Sequence, residues 1–233
     1  DESAADGWAV KLLDHAGISS AGLANLMRRM ASQRALPQNR QSKYYQSHPG
    51  ARDRLSFFED HLSTSPHREA ELPPHIEERM MRLITKTRAY VVDPLIILET
   101  PVKDQWASSL ATDGIAEYAE AIAHFRRGEL ELAGSKIEHL TTTFPTDPYF
   151  HEFAGDIALS GGDIDASILS YRKVLDISPD SPQVAVSLGR ALIAGGTDAQ
   201  LSEAIWVLEM AVAGEPDWAF AKRQLAIAFG RSG

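Results

Sequence analysis

Apolar residues recur three and four positions apart along most of the chain, which is the spacing of amphipathic helices. Three apolar stripes fall within the first 63 residues, and a fourth follows a Pro-Pro pair. The stripes are Trp8, Ala9, Leu12 and Leu13; Leu23, Leu26, Met27 and Met30; Leu55, Phe58 and Leu62; and Ile76, Met80, Leu83, Ile84 and Thr87. The pattern predicts an all-α fold, with the fourth helix running from about His75 to Ala89.

The second half of the chain repeats itself. Pro145 and Pro179 lie 34 residues apart, and Pro216 follows 37 residues later. A period of 34 residues is that of the tetratricopeptide repeat (TPR), in which each repeat is a pair of helices. A proline ends each second helix because it cannot continue the hydrogen-bond ladder. From about Ala116 to Gly233 we therefore predict three helical hairpins and a terminal helix over 218–229.

Residue size follows the same register. The eighth position of the repeats reads Ala121, Gly155 and Gly189; the small position of the second helices reads Ala133, Ser167 and Ala204; and the large position reads Ile137, Tyr171 and Leu208. Small residues let paired helices approach closely, and the bulky residue fills the groove beside them. The three extra residues of the third repeat are predicted to lie in the loop at 195–198.

A helical solenoid presents the first helices of its repeats on one concave side, which we call the first-helix face. Its predicted residues are Tyr118, Ile122, Glu152, Asp156, Leu159, Val186, Arg190 and Ile193. Two roles are open for these residues. They bind another polypeptide, or they pack against a neighbouring part of the same chain.

Composition narrows the classes of function. The chain has no cysteine, which excludes disulfides, thiolate zinc sites and cysteine nucleophiles. No apolar run approaches about 18 residues, so no membrane-spanning segment is predicted. The net charge of −9 arises in residues 113–233, which carry 18 acidic and 9 basic residues, against 14 of each in residues 1–112. An acidic surface argues against nucleic-acid binding and is compatible with basic peptide partners.

Two short motifs near the N-terminus have chemistry beyond packing. Glu2 and Asp6 lie one helical turn apart on the same face, which suits a metal ligand and a carboxylate that orients another ligand. His48 precedes Pro49 at a predicted helix start, and Arg54 lies back on that helix, within reach of a carboxylate. For both motifs the alternative is a purely structural role at the surface or at a helix end.

Together and in this order, the motifs resemble the M48 family of zinc metallopeptidases. Members carry His-Glu-x-x-His on one helix, then a Glu-x3-Asp helix that supplies the third zinc ligand, then a His-Pro-x4-Arg element. The resemblance implies that Glu2 is a zinc ligand and Asp6 its carboxylate partner. It also implies that His48 lies near the reacting carbonyl and that Arg54 braces the acidic helix through Asp6 or its neighbours. Bacterial members of the BepA type place TPRs after the protease domain.

The resemblance divides the chain into three parts. Residues 1–63 are the C-terminal helices of a zincin-type peptidase domain, 64–112 a helical connector and 113–233 a TPR solenoid. It implies a metalloendopeptidase that binds polypeptide substrates or envelope proteins on its TPR face. The expected setting is protein quality control in the periplasm or at the membrane of a bacterial envelope.

One departure from the family is serious, because the chain contains no His-Glu-x-x-His. Two zinc ligands and the general base are therefore expected upstream of Asp1. The chain by itself is expected to bind Zn²⁺ poorly and to be inactive. The alternative function is a non-catalytic TPR module for protein–protein interaction.

Overall fold

The computed structural model describes residues 2–33, 50–100 and 114–233. Within these ranges the chain forms twelve helices and no strand, so the predicted all-α fold is confirmed. None of the described helices combines the length and the apolar character needed to cross a lipid bilayer. The chain divides into two compact units, Asp1–Glu77 and Glu78–Gly233, and this division falls within the predicted connector.

Three helices form most of the first unit. They are α1 (Glu2–Ala16), α2 (Ala21–Gln33) and α3 (Ala51–Thr64), which correspond to the three predicted N-terminal helices. All three contribute buried apolar side chains to one small core, which consists of Val10, Ala24, Met27, Met30, Ala51 and Phe58.

The apolar stripe of α1 does not face this core. Trp8 is 66% exposed and Leu12 is 63% exposed, whereas the buried residues of α1 are Asp6 and Val10. Arg54 of α3 explains this orientation, because its hydrogen bonds to Asp6 turn that side of α1 inward. A polar pair, and not the widest apolar stripe, therefore sets the rotation of α1.

The second unit contains most of α4 (Pro74–Val91), the short α5 (Pro94–Glu99) and the repeat region. The repeat helices are α6 (Ile115–Arg126), α7 (Leu130–Thr143), α8 (Pro148–Gly161), α9 (Ile164–Ile177), α10 (Pro182–Gly195), α11 (Asp198–Gly214) and α12 (Ala219–Ser232). α6 pairs with α7, α8 with α9 and α10 with α11, while α12 packs on α11. The predicted three hairpins and terminal helix are all present.

Prolines mark the boundaries of the repeats. α7, α9 and α11 each end two residues before the repeat proline, as the period predicts. α8 and α10 begin with Pro148 and Pro182 at the first helical position, where the missing N–H has no helical partner in any case.

The third hairpin differs from the prediction in where its three extra residues lie. α11 has 17 residues, compared with 14 in α7 and 14 in α9, and only residues 196 and 197 separate it from α10. The predicted loop insertion is therefore wrong. Thr197 and Gln200 form a reciprocal capping box, which satisfies free N–H groups and begins the helix one turn early.

Paired helices approach most closely at the eighth position of the repeat. A Cβ atom on Gly155 would lie 2.6 Å from Cε1 of Tyr171, and one on Gly189 would lie 2.6 Å from Cγ of Leu208. Non-bonded carbon atoms pack at about 3.5–4.0 Å, so only glycine fits opposite these two side chains. The prediction made from residue size is confirmed at both crossings.

Replacement of Gly155 by alanine is expected to destabilise the second unit, even though alanine favours a helix by about 1 kcal/mol. The added methyl group must displace the Tyr171 ring, whose hydroxyl donates a 2.7 Å hydrogen bond to Asp156. Overpacking of this kind costs about 1–3 kcal/mol.

Gly134→Ala in α7 is the matched control for this substitution, since nothing lies within 4 Å of the added Cβ. It is expected to raise the midpoint of thermal unfolding, while Gly155→Ala lowers it. Equal shifts of both variants in the same direction contradict the close-approach explanation.

Candidate functional site

The structure buries half of the predicted first-helix face. Tyr118, Ile122, Val186 and Ile193 belong to the core and are at most 7% exposed. Of the other four residues, Glu152, Asp156 and Leu159 are partly buried and Arg190 is exposed. The surface of this face is therefore polar and charged, over an apolar layer that belongs to the helix pairs.

Helix α4 lies against the first-helix face of the first two repeats. The Nζ atom of Lys86 donates a hydrogen bond to Oε2 of Glu152 at 3.2 Å, and Arg82 forms an ion pair with Asp147. Ala89 of α4 is completely buried in the core of these repeats. Packing against a part of the same chain, one of the two roles expected for this face, is what the structure places here.

Further contacts hold both ends of this interface. The guanidinium carbon of Arg82 lies 5.1 Å from the ring centre of Phe150, which is within the range of a cation–π contact. From α6, the Nη1 atom of Arg126 donates hydrogen bonds to the carbonyl oxygens of Ala89 and Val92. These carbonyls lie at the C-terminal end of α4, where a helix leaves its acceptors without internal partners.

Burial within this interface shifts the titration of its side chains. Desolvation, together with the carboxylates of Asp156 and Glu152, raises the pKa of Tyr90 to about 12. Desolvation also raises the pKa of Tyr118, and it raises that of Asp156 despite a hydrogen bond from Tyr171. Water is largely excluded here, so the first two repeats offer little open surface on this face while α4 is docked.

A second surface, on the side of the second helices, is open. We call it the outer groove; it lies between α9 and α11, with the first turns of α10 as its floor. Its cavity volume is about 500 Å³, within the usual range of binding pockets. Its apolar walls and floor include Leu175, Pro182, Ala185, Leu188, Trp206 and Met210.

Two large apolar side chains of the outer groove are exposed to water. Trp206 is 60% exposed and Met210 is 51% exposed, and their spacing of four residues places them on one side of α11. Asp176 and Asp180 line the same groove and are also exposed. Sequence analysis did not identify this site; the available signal was two large apolar residues outside the register that defines the helix crossings.

In the first unit, the structure brings Arg54 and Asp6 together. Nε of Arg54 donates to Oδ2 of Asp6 and Nη2 donates to Oδ1, both at 2.8 Å. Two parallel hydrogen bonds between guanidinium and carboxylate form a strong and directional contact. The Asp6 side chain is only 6% exposed, so the pair is a buried link between α1 and α3.

Glu2 lies on α1 one turn before Asp6 and is partly buried. His48 lies outside the described residues, so its convergence with Glu2, Asp6 and Arg54 stays a prediction. Among the described residues, no group of three or more His, Asp or Glu side chains is placed to hold a metal ion. A catalytic zinc site needs three protein ligands, so Glu2 and its described neighbours do not fit Zn²⁺ by themselves.

A hydrogen-bonded chain of Ser20, His61 and Asp14 also joins the three helices of the first unit. Nδ1 of His61 lies 2.9 Å from Oγ of Ser20, and Nε2 lies 3.0 Å from Oδ2 of Asp14. Hydrogen bonds from His61 and Ser65 lower the pKa of Asp14. The order of groups is that of a hydrolase triad. Ser20 is only 1% exposed, however, so a substrate cannot reach its hydroxyl and the network is structural.

Arg54→Ala is expected to destabilise the first unit by about 3–5 kcal/mol, because it leaves the buried Asp6 carboxylate without its counter-charge. Arg52→Ala removes an exposed arginine from the same helix and should change the free energy of unfolding by less than about 0.5 kcal/mol. Urea unfolding followed by circular dichroism measures both variants. Similar effects of the two substitutions would show that the Arg54–Asp6 pair contributes no specific stability.

Comparison with solved structures supports the TPR architecture. MamA MSR-1 resembles this chain with a TM-score of 0.51 and 17% identity, over 68% of this chain and 86% of that one. MamA AMB-1 gives a TM-score of 0.50 and 18% identity, over 68% and 85%. No family model and no curated protein matches the chain. MamA is a TPR-repeat protein, and at these identities the likeness shows the fold alone, an all-helical solenoid of the TPR type.

Proposed function

We propose that this chain is a TPR scaffold that binds another polypeptide in the outer groove. The observation that carries the proposal is the contrast between the two sides of the solenoid. The first-helix face of the first two repeats is covered by α4, through Lys86 and Glu152 among others, whereas the outer groove is open and apolar. Exposed apolar patches of this kind mark interaction sites on soluble proteins. A TPR-like fold is in keeping with protein partners.

Burial of apolar surface drives binding in this proposal. More than half of Trp206 and of Met210 is in contact with water, so a partner that covers them gains from their desolvation. Tryptophan is enriched among the residues that dominate binding energies, and the flexible methionine side chain adapts to an irregular partner. Ala185 and Leu188 on the floor are already fixed in the core, so little ordering is needed on binding.

Trp206→Ala is expected to weaken polypeptide binding at least about tenfold, because it removes the largest apolar contact of the groove. Peptides are selected from a random display library on the immobilised wild-type chain, and their affinities are then measured by calorimetry. Leu169→Ala is the control, since Leu169 is 69% exposed on α9 but does not line the groove. Selected peptides that bind both variants like the wild type, or a selection without enrichment, contradict the proposal.

A second candidate function concerns the first unit. In this candidate, residues 1–63 form the C-terminal part of an M48-type zinc peptidase domain in a longer chain that works in protein quality control in a bacterial envelope. The Arg54–Asp6 pair favours it, because that contact joins the two motifs through which the sequence resembles the family. The longer chain supplies the remaining zinc ligands, and Glu2 completes the set.

Zinc content and peptidase activity of the longer chain test this second candidate. A His-Glu-x-x-His motif upstream of Asp1 is required, and Glu2→Gln is expected to remove both bound zinc and activity. Asp53→Asn, an exposed acidic residue of α3, is the control and should retain both. Absence of the motif, or full zinc content in Glu2→Gln, contradicts the peptidase candidate and leaves the scaffold proposal intact.

A further inference from the structure

We propose that the segment bound in the outer groove is a basic amphipathic α-helix of a partner protein. The inference rests on the proposed function and names the chemistry of the partner at that same groove. Three observations on the second unit carry it: the charge around the groove, the arrangement of its apolar walls, and the way in which the repeats already hold a helix of their own chain.

The charged residues that line the groove are mainly acidic. Asp176, Asp180 and Glu203 are accompanied by a single cation, Arg172, among the described lining residues. Arg172 is already neutralised, since its Nε and Nη2 atoms donate to the two carboxylate oxygens of Glu203 at 2.9 and 2.5 Å. Asp176 and Asp180 therefore leave the rim with a net negative charge, which attracts lysine or arginine.

The charge of the surrounding chain has the same sign. Residues 113–233 carry 18 acidic and 9 basic residues. A field of this sign raises the association rate of cationic ligands and opposes anionic ones. Among macromolecules, it disfavours nucleic acids and anionic lipid surfaces, because both present phosphate groups to the protein. A polypeptide rich in lysine or arginine is the partner that the charge favours.

The apolar walls are arranged to receive a helix. Leu175 of α9 lies on one side of the groove, and Trp206 and Met210 of α11 lie on the other. Trp206 and Met210 are one helical turn apart, so they match apolar residues that recur every three or four positions on a partner helix. Lysine side chains on the flanks of such a helix can extend along the apolar surface to the acidic rim.

The first-helix face shows that these repeats hold a basic helix through acidic residues. Arg82 and Lys86 lie one turn apart on α4, and they pair with Asp147 and Glu152 of the second repeat. Ala89 supplies the apolar contact of the same helix. The outer groove offers the same combination of carboxylates and apolar surface, without a helix of the described chain in it.

Two synthetic helical peptides test the inference on the full chain. Both carry leucine at the first and fourth positions of each heptad; one carries lysine at the other positions and the second carries glutamate. At low salt we expect the lysine peptide to bind about tenfold more tightly, and we expect this preference to fall as salt is raised. Asp176→Asn combined with Asp180→Asn should remove most of the preference.

The control double variant, Glu131→Gln with Glu138→Gln, makes the same change in net charge on α7, away from the groove, and should leave the preference unchanged. Equal binding of the two peptides, or equal responses of the two double variants, overturns the basic-helix inference. If neither peptide binds while library peptides still depend on Trp206, the inference fails and the scaffold proposal stands. If no peptide of either kind binds, both fail.

Discussion

The close approach of paired helices at Gly155 and Gly189 is the contact on which the second unit depends. Because these residues lack a Cβ atom, Tyr171 and Leu208 pack directly on the first helices of their own repeats. This packing fixes the spacing within each hairpin, and neighbouring hairpins then stack with α9 and α11 on either side of the outer groove. Tyr171 also extends the constraint to the first-helix face, since its hydroxyl holds the partly buried Asp156 in place.

The position of α4 decides which surface of the solenoid a partner meets. A polypeptide that binds on the first-helix face of the first two repeats must first displace α4. That step breaks the contacts of Arg82 with Asp147 and of Lys86 with Glu152, and it exposes the buried Ala89. Removing one side of a partly buried ion pair is costly, because the remaining charge has been desolvated. Binding in the outer groove requires none of these steps, so the open groove is the more accessible surface.

Features that depend on local spacing could be predicted from the sequence. The repeat prolines located all three hairpins, and residue size located the helix crossings. Features that depend on distant partners could not: the bond from Arg54, 48 residues away, overrides the apolar stripe in the orientation of α1. The extra turn of α11 depends on the capping box at Thr197, which the spacing of the glycines did not reveal. In the candidate sites, the resemblance to M48 peptidases led us to expect the contact of Arg54 with Asp6. The outer groove was missed because three helices from two repeats build it.

The central claim is that partners bind in the outer groove while α4 stays docked, and locking α4 in place tests it most directly. The chain has no cysteine, so cysteines introduced at Lys86 and Glu152 can be joined selectively by a short bis-maleimide. The affinity of the locked chain for a peptide selected on the wild type is then compared with that of the same variant before cross-linking. The account predicts the same affinity in both states, because the residues that line the groove lie outside the α4 interface. Loss of binding on cross-linking would contradict it, because binding would then require α4 to leave the first-helix face.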